Sequence, residues 1–431
     1  MTPLDRRRLL ASLAAGAAVA AGGKTQAQSE PASPASNTAK ANVEWPVWDE
    51  AEQQGLVDVL QSGKWGRTAG GKRIAEFEAE FAKLMDARYC LAVSSGTTAI
   101  ITALAAAGCG PGDEVIIPPY TFVATFNAVT MHYCLPVFAD IDPKTFQMDA
   151  TKAAARVTEA TRVVMPVHIG GSAVDLDAFG ELCSGRTFRL IEDACQAPLA
   201  QWRGKPLGTH GVAGCFSFQA SKNITSGDGG AILTNDEAFM HACHNFHTPG
   251  NAKPVSTFGR GANFRLTEFQ AAVLTAQLSR AEQQSQQRES NAEYLTSMLR
   301  EIPGITPARQ TEGCTRSAWH LYMLRYDTSR FGGKTRAEFL KELTARRVSA
   351  SGGYTSLLRS KHVQSLAENS HYHRIYGQQT MQRWLEENQC PKNDRLCEEA
   401  VWFTQSVLLR PRSEMERIAS VIADVQKQFA N

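Results

Sequence analysis

The sequence predicts an α/β protein with a doubly wound sheet, followed by a smaller α+β domain. Short apolar strands separated by helical stretches continue to about residue 300, which is the pattern of a doubly wound sheet. Beyond that point the order becomes strand, helix, strand. The 431 residues are 43% hydrophobic and 20% charged, as is typical of a soluble globular protein with a large core. We therefore expect a large domain over residues 46–300 and a small domain over residues 301–431.

The N-terminus has the pattern of a cleaved export signal. Three arginines at residues 6–8 precede an alanine-rich apolar run at residues 9–21, which is too short to span a bilayer comfortably. Residues 1–27 are therefore predicted to be a signal peptide that leaves no membrane anchor after cleavage. The paired arginines resemble a twin-arginine signal, which predicts an exported, periplasmic protein; a cytoplasmic protein is the alternative. Residues 28–45, rich in Ser, Pro and Ala, predict a linker.

The ten cysteines predict buried free thiols. None of them forms a CxxC pair, and several lie in apolar, strand-like runs. This pattern differs from that of a zinc site or a disulfide framework. Free thiols are compatible with export, because a twin-arginine signal implies that the chain folds in the cytoplasm before it crosses the membrane.

The charge distribution gives no reason to expect a nucleic-acid partner. The net charge is +2, and residues 1–27 alone carry four Lys/Arg against one Asp. The rest of the chain is therefore close to neutral, and it has no basic or acidic run. Small molecules are the expected partners.

The large domain begins with an amphipathic helix. Apolar residues recur at helical spacing in RIAEFEAEFAKLMDARY, at Ile74, Phe77, Phe81, Leu84 and Met85. Apolar strands follow within CLAVSSGTTAI, DEVIIPPYTF, PVFADID, TRVVMPVHIGG, TFRLIEDACQA, GCFSFQ and GAILTND. A long helical pattern that starts at LTEFQ closes this domain.

The small domain is predicted from a second, shorter series of elements. AWHLYMLRYD predicts a strand, TRAEFLKELTARR a helix, and VSASGGYTSLL a further strand. The closing stretch RSEMERIASVIADVQKQF predicts a helix. The histidines at 362, 371 and 373 are scattered as on a helix surface, so we predict no metal site there.

The stretch AVSSGTTAI predicts a site for a phosphate group. A strand ends near Ser94 and a helix begins within the following SGTT. Free backbone N–H groups at a helix start, with hydroxyl groups and a glycine that permits close approach, suit a phosphate. An ordinary helix cap is the alternative, since small polar residues are also common there.

Asp193 and Lys222 complete a set of three groups. Asp193 ends the run RLIED at the carboxyl end of a strand, where open α/β sheets bind ligands; a structural ion pair or a helix cap is the alternative. Lys222 lies among small residues between two strands, with a solvated loop charge as its alternative. Pyridoxal phosphate (PLP) needs a lysine for a Schiff base, a carboxylate for its pyridinium nitrogen and a helix N-terminus for its phosphate. Together, the three positions predict a PLP cofactor.

The chain resembles the DegT/DnrJ/EryC1/StrS family of sugar aminotransferases. The resemblance is carried in order by SSGT, PPYTFVAT, IEDACQA, SFQASKNITSGDGGAILTND and NFRLTEFQAAVLTAQL, and it extends from about residue 45 to the C-terminus. It implies fold type I, the aspartate aminotransferase-like architecture with a mainly parallel sheet, and a homodimer with shared active sites. It also implies transfer of an amino group from an amino acid, glutamate or glutamine, to a keto sugar or a related carbohydrate.

The resemblance assigns the residues around the cofactor ring. It implies that Lys222 binds the cofactor covalently and, once freed, moves the substrate proton. Asp193 pairs with the pyridine nitrogen, and Gln196 lies against the ring or its phenolic oxygen. Phe122 stacks on the pyridine face, with core packing as the alternative.

The resemblance also assigns the phosphate contacts and a contribution from a second subunit. It implies that Gly96, Thr97 and Ser217 hold the phosphate. Asn263 and Arg265 reach across the dimer towards the phosphate or the substrate. A helix-start cap and a surface charge are the alternatives for these two residues.

Two other function classes remain open at this point. A minority of the family are sugar dehydratases that use pyridoxamine phosphate and have a histidine in place of the lysine, so Lys222 disfavours this class. A non-catalytic PLP-binding sensor or scaffold is disfavoured by the intact set of Lys222, Asp193 and Gln196. An export signal is unusual for the family, because most relatives work in the cytoplasm.

Overall fold

The computed structural model describes residues 45–248 and 259–430. The predicted signal peptide lies outside these residues, as does the predicted linker except for its last residue. Within the described ranges, none of the helices combines the length and the apolar character that crossing a membrane requires.

Strands and helices alternate through the first two thirds of the chain. The strands are β1 (Tyr89–Val93), β2 (Glu114–Ile117), β3 (Leu135–Phe138), β4 (Thr161–Val164), β5 (Arg189–Asp193), β6 (Gln201–Trp202), β7 (Lys205–Pro206), β8 (Ala213–Ser217), β9 (Gly230–Thr234), β10 (Ile305–Pro307), β11 (Cys314–Arg316), β12 (Leu321–Tyr326) and β13 (Ala400–Thr404). The helices are α1 (Glu50–Ser62), α2 (Arg73–Leu84), α3 (Gly96–Ala106), α4 (Ala124–Thr130), α5 (Ala150–Ala154), α6 (Leu176–Cys183), α7 (Glu237–His247), α8 (Glu268–Leu299), α9 (Arg336–Ala345), α10 (Lys361–Gln364), α11 (Ser370–Tyr376), α12 (Gln378–Glu387), α13 (Pro391–Glu399) and α14 (Arg412–Ala430).

A seven-stranded sheet forms the centre of the large domain. Its order is β1-β9-β8-β5-β4-β2-β3. The neighbours from β8 to β3 pair in parallel, and β9 runs antiparallel to both β1 and β8. The predicted α/β fold with a mainly parallel sheet is confirmed. Parallel strands end at one edge, so the segments after β5 and β8 meet there.

The sheet is buried on both faces because its strands are apolar throughout. In β1, Leu91 and Val93 pack into the core beneath α3 and α7, while Ala92 packs into the core beneath α2 and α8. In β2, Val115 packs into the first of these cores and Ile116 into the second. Successive side chains of a strand point to opposite faces, so a continuous apolar run predicts helices on both sides.

The 32-residue helix α8 joins the two cores. Leu274, in its first half, packs with the helices below the large sheet, and Leu295 packs in the core of the small domain. That second core lies around the antiparallel sheet β10-β12-β13, against α9 and α14. Tyr326 of β12 stacks on Phe339 of α9, with ring centroids 4.7 Å apart.

The segment 357–390 packs against the edge of the large sheet. Its helices contribute buried side chains, among them Tyr372 and Trp384, to the same core as β2 and β3. The Trp384 ring nitrogen donates a hydrogen bond to the Pro136 carbonyl oxygen at 2.7 Å. The Tyr372 hydroxyl donates to the Cys134 carbonyl oxygen at 3.0 Å. The predicted domain boundary after residue 300 stays a prediction, and this later segment belongs to the packing of the first domain.

Replacement of Trp384 by alanine is expected to lower the free energy of unfolding by about 3–5 kcal/mol, because it opens a cavity in the core. Chemical denaturation of the apoprotein measures the change. The matched control is Arg383→Ala on the same helix, whose side chain is exposed and pairs with the equally exposed Glu387. This control should shift the value by no more than about 0.5 kcal/mol. Equal losses in the two variants would contradict anchoring through Trp384.

Candidate active site

A cavity of about 500 Å³ lies at the carboxyl-terminal edge of the large sheet. Segments that follow β1, β5 and β8 line it, together with residues of the small domain. Seven of the nine residues predicted for the site line this cavity: Gly96, Thr97, Phe122, Asp193, Gln196, Ser217 and Lys222. The fold therefore brings together residues that are more than 100 positions apart in the sequence.

The start of α3 has the geometry of an anion site. Ser95 and Thr98 form a reciprocal capping box: the Ser95 hydroxyl accepts from the Thr98 amide at 3.1 Å, and the Thr98 hydroxyl accepts from the Ser95 amide at 2.9 Å. The N–H groups of Gly96 and Thr97, at the first helical positions, have no partner within the helix. The helix dipole makes this end positive, which favours a phosphate.

Gly96 is required by close packing rather than by its own backbone conformation. A Cβ atom at this position would lie 2.6 Å from the Cβ of Ser217 and 2.9 Å from the Cys195 sulfur. The helix start therefore lies directly against the end of β8. This contact brings the Ser217 hydroxyl beside the free amides, as a phosphate site needs.

Asp193 is a buried carboxylate held by two donors. It is 3% exposed. The Thr125 hydroxyl donates to one carboxylate oxygen at 2.9 Å, and the Cys195 amide donates to the other at 3.2 Å. Within residues 45–248 and 259–430, no Lys, Arg or His forms an ion pair with it. The alternative of a structural ion pair is thus absent from the described part of the chain.

Glu192, the neighbour of Asp193, fixes the end of β5. Its fully buried carboxylate accepts from the amides of Gly208 at 2.7 Å and Gly211 at 2.8 Å, and lies 3.0 Å from Nε2 of His168. Burial raises the pKa of Glu192, but the hydrogen bonds and the charges of nearby histidines outweigh this and lower it. A charged, fully bonded Glu192 holds the strand end from which Asp193 points into the cavity.

Lys222 lies half-buried in the cavity wall. Its backbone amide donates to the Gln219 carbonyl oxygen at 2.8 Å, which closes a tight turn after β8. Burial lowers the pKa of the Lys222 amine, while the nearby Cys195 and Asp193 act in the opposite direction. A lowered pKa increases the neutral fraction of the amine, which is its nucleophilic form. The alternative of a fully solvated loop charge does not fit this burial.

Gln196 spans the floor of the cavity. Its side-chain oxygen accepts from the Gly170 amide at 2.7 Å, and its side-chain nitrogen donates to the Tyr354 hydroxyl at 3.1 Å. Both ends of the amide are therefore fixed. Contact of Gln196 with a cofactor ring stays a prediction, and its position in the wall is compatible with it.

Phe122 is exposed to the cavity. Its side chain is 58% exposed, so the alternative of core packing is wrong. It directly follows the buried Thr121, whose hydroxyl lies 2.9 Å from that of Thr125. An exposed aromatic ring on a fixed turn suits stacking on a planar ligand.

Asn263 and Arg265 do not line the cavity of their own chain. They belong to an extended segment beside the end of β1, where the Ser94 amide donates to the Phe264 carbonyl oxygen at 2.7 Å. Asn263 is exposed, and the cap of α8 is Thr267 instead. The cap alternative for Asn263 is therefore wrong, and the predicted role across a dimer stays a prediction.

The small domain supplies a cavity wall that the sequence analysis did not assign. The residues are His320, Leu321, Tyr354, Trp402 and Thr404. Tyr354 packs edge-on against Trp402, with ring centroids 4.6 Å apart. His320 and Leu321 lie at the start of β12, which the sequence predicts as a strand. Nothing in the sequence indicates that this strand end meets the large domain.

The described residues fit PLP on structural grounds. The cavity combines a positive helix end packed around Gly96, a buried carboxylate that forms no ion pair within the described residues, and a lysine with a lowered pKa. This combination matches the three groups of PLP that a protein must bind, which are the aldehyde, the pyridine nitrogen and the phosphate.

Comparison with known proteins agrees with this geometry. Residues 46–426 match the model of the DegT/DnrJ/EryC1/StrS aminotransferase family. The chain belongs to this family. It is therefore a PLP-dependent aminotransferase of fold type I, and the predicted family, cofactor and enzyme class are confirmed.

Three relatives illustrate the similarity. The chain is 32% identical over 387 residues to 3-amino-5-hydroxybenzoate synthase of Amycolatopsis mediterranei (strain S699), covering 88% of this chain and 96% of the relative. It is 33% identical over 409 residues to L-glutamine:scyllo-inosose aminotransferase of Streptomyces griseus, covering 89% and 95%. A crystal structure of 3-amino-5-hydroxybenzoic acid synthase superimposes with a TM-score of 0.79 at 31% identity, covering 90% of this chain and 99% of that one.

For this aminotransferase, Asp193→Asn is expected to retain PLP but to slow proton removal from the amino donor by about 100-fold or more, because the pyridine nitrogen loses its anionic partner. Cofactor content and single-turnover absorbance changes measure the two effects. The matched control is Asp236→Asn, which keeps a competent helix cap outside the cavity. A wild-type rate in Asp193→Asn would show that this carboxylate is only structural.

Proposed function

We propose that this aminotransferase moves the amino group of L-glutamine or L-glutamate to the carbonyl carbon of a keto sugar or a related carbohydrate such as a keto cyclitol. The observation that carries the proposal is the convergence of Lys222, Asp193 and the start of α3 on one cavity. Relatives named for L-glutamine and inosose substrates support these two substrate classes.

Different residues of the chain position the cofactor and transfer the proton. The amides of Gly96 and Thr97 and the Ser217 hydroxyl hold the phosphate. Asp193, oriented by the Thr125 hydroxyl, keeps a proton on the pyridine nitrogen. Bound PLP supplies a ring that withdraws electrons from the substrate's α-carbon. Lys222 would accept the proton from that carbon and deliver it to the cofactor's C4′ carbon, and for the acceptor the same transfer would run in reverse.

The lowered pKa of Lys222 suits both of its tasks. A buried amine is neutral at a lower pH than a solvated one, so it can attack a carbonyl and can accept a proton. In the dehydratases described above a histidine stands at this position, and an imidazole has no such primary amine. The lysine therefore supports amino transfer over dehydration.

A homodimer with shared sites is part of the proposal. Large apolar side chains are exposed on α1 and on the segments that flank it: Trp48, Leu56, Val57, Leu60 and Trp65. An apolar groove of about 380 Å³ beside Trp48 and Leu56 is also lined by residues 225–227, which closely follow Lys222. Exposed apolar patches of this kind mark interaction surfaces, and this one adjoins the lysine segment.

Lys222 is expected to be the residue that binds PLP covalently. Borohydride reduction followed by peptide mapping should place the pyridoxyl group on Lys222, and L-glutamine should abolish the absorbance band of the lysine-bound cofactor in the unreduced enzyme. Lys205, on the solvent-exposed strand β7, is the internal control and should stay unlabelled. Labelling on another lysine would contradict the assignment of Lys222 as the residue that binds PLP. An unchanged band with L-glutamine and with L-glutamate would favour the sensor class.

Shared sites predict complementation between two inactive variants. Lys222→Ala and Arg265→Ala should each be inactive as homodimers, while their heterodimer should recover about half of the wild-type activity, because one composite site keeps both groups. The control pair is Lys222→Ala with Asp193→Asn. Lys222 and Asp193 contribute to the site of their own chain. In that heterodimer, one site therefore lacks the lysine and the other lacks the aspartate. No recovery in purified Lys222/Arg265 heterodimers would argue against a contribution of Arg265 to the partner's site.

A further inference from the structure

His320 lies in the cavity wall where the small domain meets the lysine segment. It is 6% exposed and directly precedes β12. Its carbonyl oxygen accepts from the Gln405 amide at 3.0 Å, which fixes the backbone. The remaining polar contact of this residue is made by the imidazole ring, through Nδ1.

The hydrogen bonds of Asn223 determine which ring nitrogen of His320 carries the hydrogen. The Asn223 side-chain nitrogen donates to the Ala318 carbonyl oxygen at 2.6 Å. A carbonyl can only accept, so this end of the amide must be the NH₂ group. The amide oxygen therefore faces Nδ1 of His320, at 3.1 Å. Because that oxygen can only accept as well, Nδ1 must be the protonated nitrogen.

The imidazole is also kept neutral. Burial lowers the pKa of His320 well below its ordinary value, and the positive charges of Lys222 and Arg288 lower it further. With the hydrogen on Nδ1, Nε2 has a free lone pair. Within residues 45–248 and 259–430, Nε2 has no hydrogen-bond partner.

We propose that Nε2 of His320 accepts a hydrogen bond from a hydroxyl group of the carbohydrate acceptor, which makes His320 a specificity-determining residue. The inference rests on the proposed function and identifies a contact of the same site. A lone pair binds an O–H donor and repels a carboxylate, which offers only lone pairs. A polyhydroxylated cyclic ketone carries O–H donors around its carbonyl, whereas the α-carboxylate of the amino donor has none.

Two substitutions separate the two ring nitrogens. In His320→Asn, the shorter amide can still donate to Asn223 from the position of Nδ1, but the acceptor at Nε2 is lost. In His320→Gln, the longer amide places an oxygen near the position of Nε2. His362→Asn is the matched control, because this histidine lies outside the cavity and contacts Asn127.

With scyllo-inosose as acceptor and L-glutamine as donor, His320→Asn should raise the KM for scyllo-inosose about 3- to 10-fold, the loss expected for one uncharged hydrogen bond. The KM for L-glutamine should change much less, and His320→Gln should recover part of the loss. A rise confined to the KM for L-glutamine would overturn the proposal, since Nε2 would then bind the donor's side-chain amide. An unchanged KM for scyllo-inosose in His320→Asn would also overturn it.

The tautomer can be measured without cofactor or turnover. In ¹⁵N-histidine-labelled apoprotein, long-range ¹H–¹⁵N spectra should show His320 as a neutral Nδ1–H ring between pH 6 and 8, with His320→Gln providing the assignment. An Nε2–H ring, or titration near the ordinary pKa, would overturn the inference. The proposed aminotransferase function fails on different grounds, when neither L-glutamine nor L-glutamate changes the band of the lysine-bound cofactor.

Discussion

Close packing between the start of α3 and the ends of β8 and β9 sets the geometry of the whole site. A Cβ atom at Gly96 would overlap Ser217, and one at Gly230 would overlap the backbone of Ser95. The two glycines let the start of α3 touch the strands on either side of the lysine segment. The relative positions of the α3 start and the lysine segment are therefore set by close packing, and hydrogen bonds of Thr125 and Gln196 orient the groups around them.

Much of this arrangement could be predicted because its signals are local. A strand that ends in SSGT, a carboxylate at a strand end and a lysine among small residues are each readable within about ten positions, and PLP chemistry connects them. The order of strands and helices follows from apolar runs of the right length. The N-terminal export signal is equally local, but it falls outside residues 45–430, so it stays a prediction.

The parts that could not be predicted depend on contacts between distant segments. His320 contacts Asn223, and Tyr354 contacts Gln196, over separations of about 100 and 160 positions. No hydrophobic periodicity in the sequence predicts such contacts. The segment around Trp384 lies between strands β12 and β13 of the small domain in sequence, yet it packs on the large sheet. The tautomer of His320 is even harder to predict from the sequence, because it depends on the orientation of the buried Asn223 side-chain amide.

The continuous helix α8 limits how this enzyme can close on its substrates. At 1.5 Å per residue its 32 residues extend about 48 Å, with one half in each core. A hinge between the domains would have to bend this helix or break one of the cores. A rotation of one core against the other would therefore bend this helix, whereas movements of loops and side chains at the rim of the cavity would leave it unchanged.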